Sequence, residues 1–318
     1  MSSSLVNLNV ESSNDGPNRA YASQVSEATN SIVETQQKRA NNFMFVAGGA
    51  LIISFALLQA FSLTTRTCGS NSPLVSDVTF DVTHETFNNE GVLYIADLGS
   101  FRIIQLIAFT PLVTGLLYII PYFMWFRPDT MELSQSWWRI YQSPLLASAF
   151  TVTSPLLEIS LLAMFGIRNA IFLFVFGLMS SFAYIICYIS ETQRFDHSVE
   201  DQPLVRSGKG QVTHTASNGG VIASFAGKAT VWIAILWAAI FQGLYNTNQA
   251  LWWALVVICL SSLVTSITSL TFCFPCDCFF TPNSSETRYY YKQMTDVTFA
   301  FIAQAIAPWL FWSALQHC

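Results

Sequence analysis

Apolar stretches long enough to cross a lipid bilayer recur along the chain and limit what it can fold into. A helix needs about 20 apolar residues to span the hydrocarbon core, where all its backbone groups must be hydrogen-bonded within the protein. Charged residues make up 10% of the chain, against roughly 25% in soluble domains. The sequence therefore predicts an all-α integral membrane protein, a bundle of seven transmembrane helices. The predicted spans are Phe43–Leu63, Phe101–Met124, Pro144–Ile167, Ala170–Ile189, Thr230–Tyr245, Leu251–Phe272 and Asp296–Leu315.

The N-terminal segment differs from these spans in composition. Residues 1–37 are rich in Ser, Asn, Gln and Glu, and such segments bury too little apolar surface to form a core. We therefore predict a disordered cytoplasmic tail over residues 1–37 and a transmembrane domain over residues 38–318. The first apolar stretch lies far from Met1 and lacks a cleavage pattern, so the first span is expected to be a retained anchor.

Lysine and arginine are distributed unequally between the two sides of the predicted bundle. If the N-terminus is cytoplasmic, the outer side holds Arg66, Arg102 and Arg168, and all other Lys and Arg residues lie inside. Cytoplasmic loops carry the excess of these residues in membrane proteins. We therefore predict a cytoplasmic N-terminus and an extracellular or lumenal C-terminus, which is the inverse of the G-protein-coupled receptor topology.

The connection between the first two spans has a β pattern. LVSDVTFDVT alternates apolar and polar residues, NNEG is typical of a turn, and GVLYIADL is again rich in residues that favour strands. On the predicted orientation, these segments form an extracellular β-hairpin in the first outer loop. An isolated hairpin is marginally stable, so we expect it to pack on the bundle or to pair with a second subunit.

Taken together, these features resemble the heliorhodopsin family. The resemblance is carried by the inverted seven-helix topology, the hairpin loop, LLAMFGI at the end of the third span, NAIFLFVFGLM in the fourth and AQAIAPWLFW in the seventh. It extends from about Lys38 to the C-terminus. It implies a rhodopsin-like bundle, usually dimeric, that holds retinal as a Schiff base on a helix-seven lysine with a helix-three glutamate as counterion.

The residues at the chromophore positions depart from the family pattern. Aligning AQAIAPW with the lysine-bearing stretch places Gln304 at the lysine position, and an alternative register places Thr298 there. Neither side chain can form an imine. The counterion position falls on Phe150, or on Ala149 in the neighbouring register, while a shifted third helix would present Glu158. We therefore predict a cofactor pocket without covalently bound retinal, and leave retinal or another apolar compound open as a ligand.

The four lysines of the chain offer no obvious replacement. Lys38, Lys209, Lys228 and Lys292 are predicted to lie in the tail, in a loop or at a cytoplasmic helix end, where long side chains reach the membrane interface. Lys292 precedes Gln304 by about 12 residues, which is roughly 18 Å along a helix. It is therefore not expected to reach the same pocket.

Two carboxylates fall within the predicted spans. Glu158 lies in the third span and Asp296 at the inner start of the seventh, and ionisable residues at membrane depth are candidates for function. One interpretation is a proton path through Glu158, Gln304 and Asp296 with Ser154 and Ser160 as relays. The alternative is that Glu158 is hydrogen-bonded across a helix interface and that Asp296 faces cytoplasmic water.

The cysteines suggest modification rather than metal binding. Cys273, Cys276 and Cys278 follow the sixth span on the predicted cytoplasmic side, and cysteines beside a membrane helix are typical sites of S-palmitoylation. Their spacing and the lack of a nearby histidine disfavour a metal site. Cys68 and Cys318 both fall on the predicted outer side, and whether they pair is left open.

Three functions stay open. They are a heliorhodopsin-like sensor or signalling scaffold without covalent retinal, a proton or small-ion channel that uses the intramembrane acids, and a retinal-binding light sensor with an unrecognised lysine. The sequence shows no nucleotide-binding loop, catalytic triad spacing or basic nucleic-acid patch, so we expect neither an enzyme nor a nucleic-acid partner. The expected partners are the lipid bilayer, a second copy of the chain in a homodimer, and an unidentified cytoplasmic or membrane protein.

Overall fold

The computed structural model describes residues 16–64, 79–87, 93–139, 143–167, 169–200, 210–243, 249–273 and 285–316. Side chains are described for residues 34–61, 105–138, 143–167, 169–191, 219–241, 249–271 and 289–314. In chain order the elements are α1 (Gly16–Thr64), β1 (Thr79–Phe87), β2 (Leu93–Arg102), α2 (Ile103–Met124), α3 (Pro128–Arg139), α4 (Pro144–Met164), α5 (Ala170–Glu200), α6 (Gly210–Gly243), α7 (Gln249–Cys273) and α8 (Ser285–Gln316).

Seven of the helices contain a segment long and apolar enough to cross a membrane, which confirms the predicted membrane bundle. Apolar side chains cover its outer surface, where Val46 is 69% exposed and Phe174 66%, as expected for a surface that faces lipid rather than water. The fifth and seventh segments begin earlier than predicted, so Lys228 and Lys292 lie inside them. The segments are Glu34–Phe61, Gln105–Met124, Pro144–Met164, Ala170–Glu191, Gly219–Phe241, Gln249–Thr271 and Tyr289–Ala314.

Helix α1 extends far beyond its membrane segment. It begins at Gly16, so residues 16–37 are helical where the sequence predicted disorder, and residue 38 lies within the helix; the division into a tail and a transmembrane domain stays a prediction. A polar composition argues against an independent core, but it does not prevent a membrane helix from continuing outward. The buried Gln37 Nε2 donates to the backbone oxygen and to Oγ of Ser134, each at 3.1 Å. These bonds fix the extension of α1 to α3.

Strands β1 and β2 lie between α1 and α2. They pair antiparallel, with Thr79 opposite Arg102 and Phe87 opposite Leu93, and the register shifts between Asp81 and Thr83. Strand β1 also contacts α5, so the strand pair touches the bundle. The predicted turn NNEG lies outside the described residues.

The two ends of the bundle are packed differently. We call the end at which α4 and α8 begin and α5 and α7 end the proximal end, and the opposite end the distal end. Fully buried apolar side chains such as Leu161, Ile235 and Phe311 fill the distal end. At the proximal end the buried residues include polar and charged side chains of α5, α6, α7 and α8. Polar chemistry inside the bundle is therefore concentrated towards the proximal end.

Helix α3 packs at the proximal end. It begins with Pro128 and has Asp129 in its first turn, two features that favour a helix N-terminus. Trp138 at its other end is buried and packs edge-on against Tyr289 of α8, with ring centroids 5.1 Å apart. Helix α3 therefore connects the start of α8 to the extension of α1.

Glycine allows α1 and α2 to approach closely, and this contact gives a testable prediction. A Cβ on Gly48 would lie 2.7 Å from the Gly115 carbonyl oxygen, and one on Gly115 would lie 2.8 Å from the Gly48 oxygen. Because the obstructing atoms are backbone, Gly48→Ala or Gly115→Ala must push the helices apart. We expect each to reduce the free energy of unfolding by about 1–3 kcal/mol, measured by denaturation in detergent.

Gly49 is the matched control for this experiment. No atom lies within 4 Å of a Cβ placed there, so Gly49→Ala is expected to change the unfolding free energy by no more than about 0.5 kcal/mol. Equal losses of unfolding free energy in Gly48→Ala and Gly49→Ala would show that the close approach of α1 and α2 does not determine the stability of the bundle.

Candidate functional site

Two neighbouring cavities lie inside the bundle. The proximal cavity encloses about 630 Å³, its open mouth included, and the central cavity encloses about 320 Å³ on the same basis. Phe150, Tyr184 and Thr265 line both, so the two spaces are separated by little more than these side chains. The other residues of the proximal cavity are Ser143, Leu146, Ala147, Cys187, Tyr188, Glu191, Lys228, Ser269, Tyr289, Lys292, Gln293 and Asp296. Those of the central cavity are Ser154, Leu157, Glu158, Ile258, Ser261, Ser262, Ala300, Ala303 and Gln304.

The central cavity brings together three residues singled out from the sequence. Gln304 and Glu158 are each 3% exposed, and Gln304 Oε1 and Glu158 Oε2 have no hydrogen-bond partner among the described residues. Phe150 stacks on Tyr184 with ring centroids 5.8 Å apart and ring planes 10° apart. The cavity therefore combines an amide, a carboxyl group and a pair of aromatic rings.

The alternative alignment registers point elsewhere. Ala149 packs in an apolar cluster with Met44 and Leu51 and lines neither cavity. Thr298 also lines neither cavity, and its Oγ1 donates to the Met294 carbonyl at 2.7 Å. Of the positions considered for the lysine and the counterion, Gln304, Phe150 and Glu158 line the central cavity.

Glu158 changes the electrostatics expected of this cavity. The sequence alternatives for the counterion position included Glu158, and this residue lines the same space as Gln304. Phe150, Ser154 and Glu158 follow one another at intervals of four residues and therefore lie on one face of α4. That spacing is visible in the sequence and could have identified Glu158 as the acid facing the pocket.

The proximal cavity contains an ion-paired cluster of one buried and two partly buried residues. Lys292 Nζ lies 2.8 Å from Asp296 Oδ2 and 3.2 Å from Glu191 Oε2, and Thr268 Oγ1 donates to Asp296 Oδ1 at 2.7 Å. Asp296 is 4% exposed, so the interpretation that it faces cytoplasmic water is wrong. Glu191 was missed from the sequence, because it lies just past the predicted end of its span and nothing local connects it to α8.

Lys228 lies in the same cavity and has no acidic partner within the part of the chain that the structure describes. It is 5% exposed, and its Nζ is 3.7 Å from the centre of the Tyr184 ring and donates to Ser266 Oγ at 3.4 Å. The ion pairs between described residues join Lys292 to its two acids, and neither includes Lys228. The prediction that Lys228 and Lys292 are interface anchors at helix ends is therefore wrong, since both are packed inside the bundle.

The residues of the predicted proton path are divided between the two cavities. Glu158, Gln304 and Ser154 line the central cavity, whereas Asp296 lines the proximal one. Ser160 lines neither, and its Oγ donates to the Leu156 carbonyl of its own helix at 2.7 Å. Any path between the two acids has to pass the shared wall at Tyr184 and Thr265.

The cysteine predictions remain predictions. Cys273 is the last residue of α7, and Cys68, Cys276, Cys278 and Cys318 lie outside the described residues. Within the part of the chain that the structure describes, no group of three His, Cys, Asp or Glu side chains is placed to hold a metal ion. The two cavities are thus the sites on which a function can be built.

Neither the models of known protein families nor the curated proteins give a match to this chain.

Proposed function

We propose that the protein is a heliorhodopsin-like seven-helix membrane sensor, or signalling scaffold, that does not attach retinal covalently. The observation that carries the proposal is Gln304, which is buried and lines the central cavity opposite an aromatic and an acidic residue of α4. A primary amide does not form an imine with an aldehyde. Retinal in this cavity therefore meets no amine at position 304 and cannot form a Schiff base there.

An amide also suits the environment of this position. It carries hydrogen-bond donors and an acceptor but no charge, whereas an ammonium group at membrane depth is costly unless it is paired. The Ser261 and Ser262 hydroxyls line the same cavity and belong to the adjacent α7. Gln304 can therefore contribute to a polar ligand site without a counterion.

The position of the cavity supports a sensing role. Its walls come from α4, α5, α7 and α8, so a bound ligand contacts four helices at once. A ligand shifts a conformational equilibrium only if it interacts differently with the two states, and a site shared by four helices allows such differences to arise from small helix movements. We propose that ligand binding here changes how these helices pack at the proximal end.

The test is an absorption spectrum of the purified protein with all-trans retinal, followed by borohydride reduction and mass spectrometry. We expect no visible band and no retinyl adduct. A visible pigment with its adduct on Lys228 or Lys292 would instead establish the third function, a retinal-binding light sensor with an unexpected lysine. The Lys228→Met variant serves as the control that identifies an adduct at the buried amine.

We also propose that the N-terminus is cytoplasmic, on the basis of the distribution of Lys and Arg. An N-terminal tag is then expected to be reached by antibody only after cells are permeabilised, while a C-terminal tag is reached on intact cells. The opposite labelling pattern would reverse the orientation and remove much of the support for the heliorhodopsin resemblance. On this orientation the proximal end of the bundle is the cytoplasmic end, and the β1–β2 pair is extracellular.

A second candidate function is proton transport through the two cavities. It is supported by two acids in adjacent cavities, Glu158 in the central cavity and Asp296 in the proximal one. The wall between these cavities is formed in part by Tyr184 and Thr265.

If the protein carries protons, Glu158→Gln is expected to abolish the current under a proton gradient. Asp296→Asn is expected to do the same at matched surface expression. The control is Glu132→Gln, which changes an exposed acid of α3. Unchanged current in both cavity variants would exclude this function.

A further inference from the structure

Lys228 is a buried cation that has no ion-pair partner among the residues the structure describes. The other lysine that lines the cavity, Lys292, is partly buried and has two carboxylates within 4 Å. Lys228 has one hydrogen bond to a serine hydroxyl and one contact with the face of the Tyr184 ring. Glu158 lines the neighbouring central cavity and does not form an ion pair with Lys228. A buried charge without a close partner is strongly disfavoured, so this wall of the cavity lacks an anion.

The surroundings of Lys228 restrict which anion fits. Phe150, Tyr184, Tyr188 and Tyr289 provide aromatic walls to the proximal cavity, which suit a planar or apolar body. The lining of the cavity comes from five helices, α4 to α8, so the site is shaped for a larger ligand than a halide ion. The negative charges of the ion-paired cluster line the same cavity and oppose a ligand with several negative charges.

We propose that the proximal cavity binds a small organic monoanion, a carboxylate with an apolar or aromatic body, and that Lys228 pairs with its carboxylate group. The ligand body packs against the tyrosines and Phe150, while Lys292 stays paired with its own acids. The site does not depend on what occupies position 304, so this inference goes beyond the proposed function and does not rest on it.

The test is calorimetric titration of the full chain, purified into lipid nanodiscs, with phenylbutanoate and with the matched neutral alcohol phenylbutanol. We expect saturable binding of one phenylbutanoate per chain. The alcohol is expected to bind at least about 10-fold more weakly, because a hydrogen bond to a charged group contributes roughly that factor or more. Lys228→Met should weaken phenylbutanoate binding by a similar factor, and Lys228→Arg should retain most of it. Lys38→Met, which removes an exposed lysine of α1, is the matched control and should bind like the wild type.

Four results would overturn the proposal. They are absence of saturable phenylbutanoate binding to the wild type, equal affinity for acid and alcohol, wild-type affinity in Lys228→Met, and displacement of phenylbutanoate by an equal concentration of chloride. If Lys228→Met does not fold, the comparison of acid and alcohol on the wild type decides the question alone. Because no retinal is used, failure here leaves the proposed function to be judged by the retinyl-adduct experiment.

Discussion

Replacing Lys292 with methionine is expected to reduce the free energy of unfolding by about 3–5 kcal/mol, the cost of removing one partner from a buried ion pair. Lys292 Nζ is the cation between Asp296 and Glu191, at 2.8 Å and 3.2 Å. Without it, two carboxylates share a buried site and repel each other. The Thr268 hydroxyl still donates to Asp296, but a neutral hydroxyl does not replace the lost charge.

The measurement is reversible denaturation of purified variants in detergent micelles. Lys38→Met is the control, since Lys38 is exposed on α1, and its unfolding free energy should stay within about 0.5 kcal/mol of the wild type. Adding Asp296→Asn to Lys292→Met is expected to recover part of the loss, because it removes one of the two unpaired acids and the sites are directly coupled. A Lys292→Met variant as stable as Lys38→Met would show that the cluster does not stabilise the fold.

Introducing a lysine at position 304 is expected to convert the protein into a retinal pigment. In Gln304→Lys, the new amine can form an imine with all-trans retinal, and Glu158 in the same cavity can stabilise the protonated form, because a nearby carboxylate favours a positive charge. The expected result is a visible absorption band and a retinyl adduct at position 304 after borohydride reduction. Without Glu158 as an available acid, the same imine would lose its proton and absorb in the near-ultraviolet.

Matched variants distinguish the role of Glu158 from that of the pocket as a whole. Gln304→Lys with Glu158→Gln should move the band into the near-ultraviolet. Adding Phe150→Glu should return it to the visible, because Phe150 lines the cavity, whereas Ala149→Glu should not, because Ala149 packs in an apolar cluster outside it. A near-ultraviolet band from Gln304→Lys alone would show that Glu158 is not the counterion. Failure of the lysine variant to form any adduct would show that the central cavity does not admit the polyene.

The features that could be predicted from the sequence are those set within one helix. The length and apolar character of a span depend on consecutive residues, so the seven membrane helices follow from the sequence. Side chains four residues apart share a helix face, so Phe150, Ser154 and Glu158 could be placed together before their surroundings were known. Gln304 likewise stands out as an amide within an apolar run of α8. The sequence also shows that position 304 carries an amide and not an amine, so this residue cannot form a Schiff base with retinal.

Only the tertiary structure decided where the charged residues of the proximal cavity lie. A lysine beside an apolar run has the same local pattern whether its side chain reaches the interface or turns into the bundle. For Lys292 the outcome is set by Glu191 on α5 and Asp296 on α8, and for Lys228 by the Tyr184 ring and Ser266 on other helices. Burying a charge is favourable only when such partners are in place. The pairing of Lys292 with Asp296, four residues along the same helix, could be predicted from the sequence. The sequence therefore determined the membrane helices and the amide at position 304. Helix packing determined that both lysines face a cavity, because Glu191, Tyr184 and Ser266 come from helices distant in the chain.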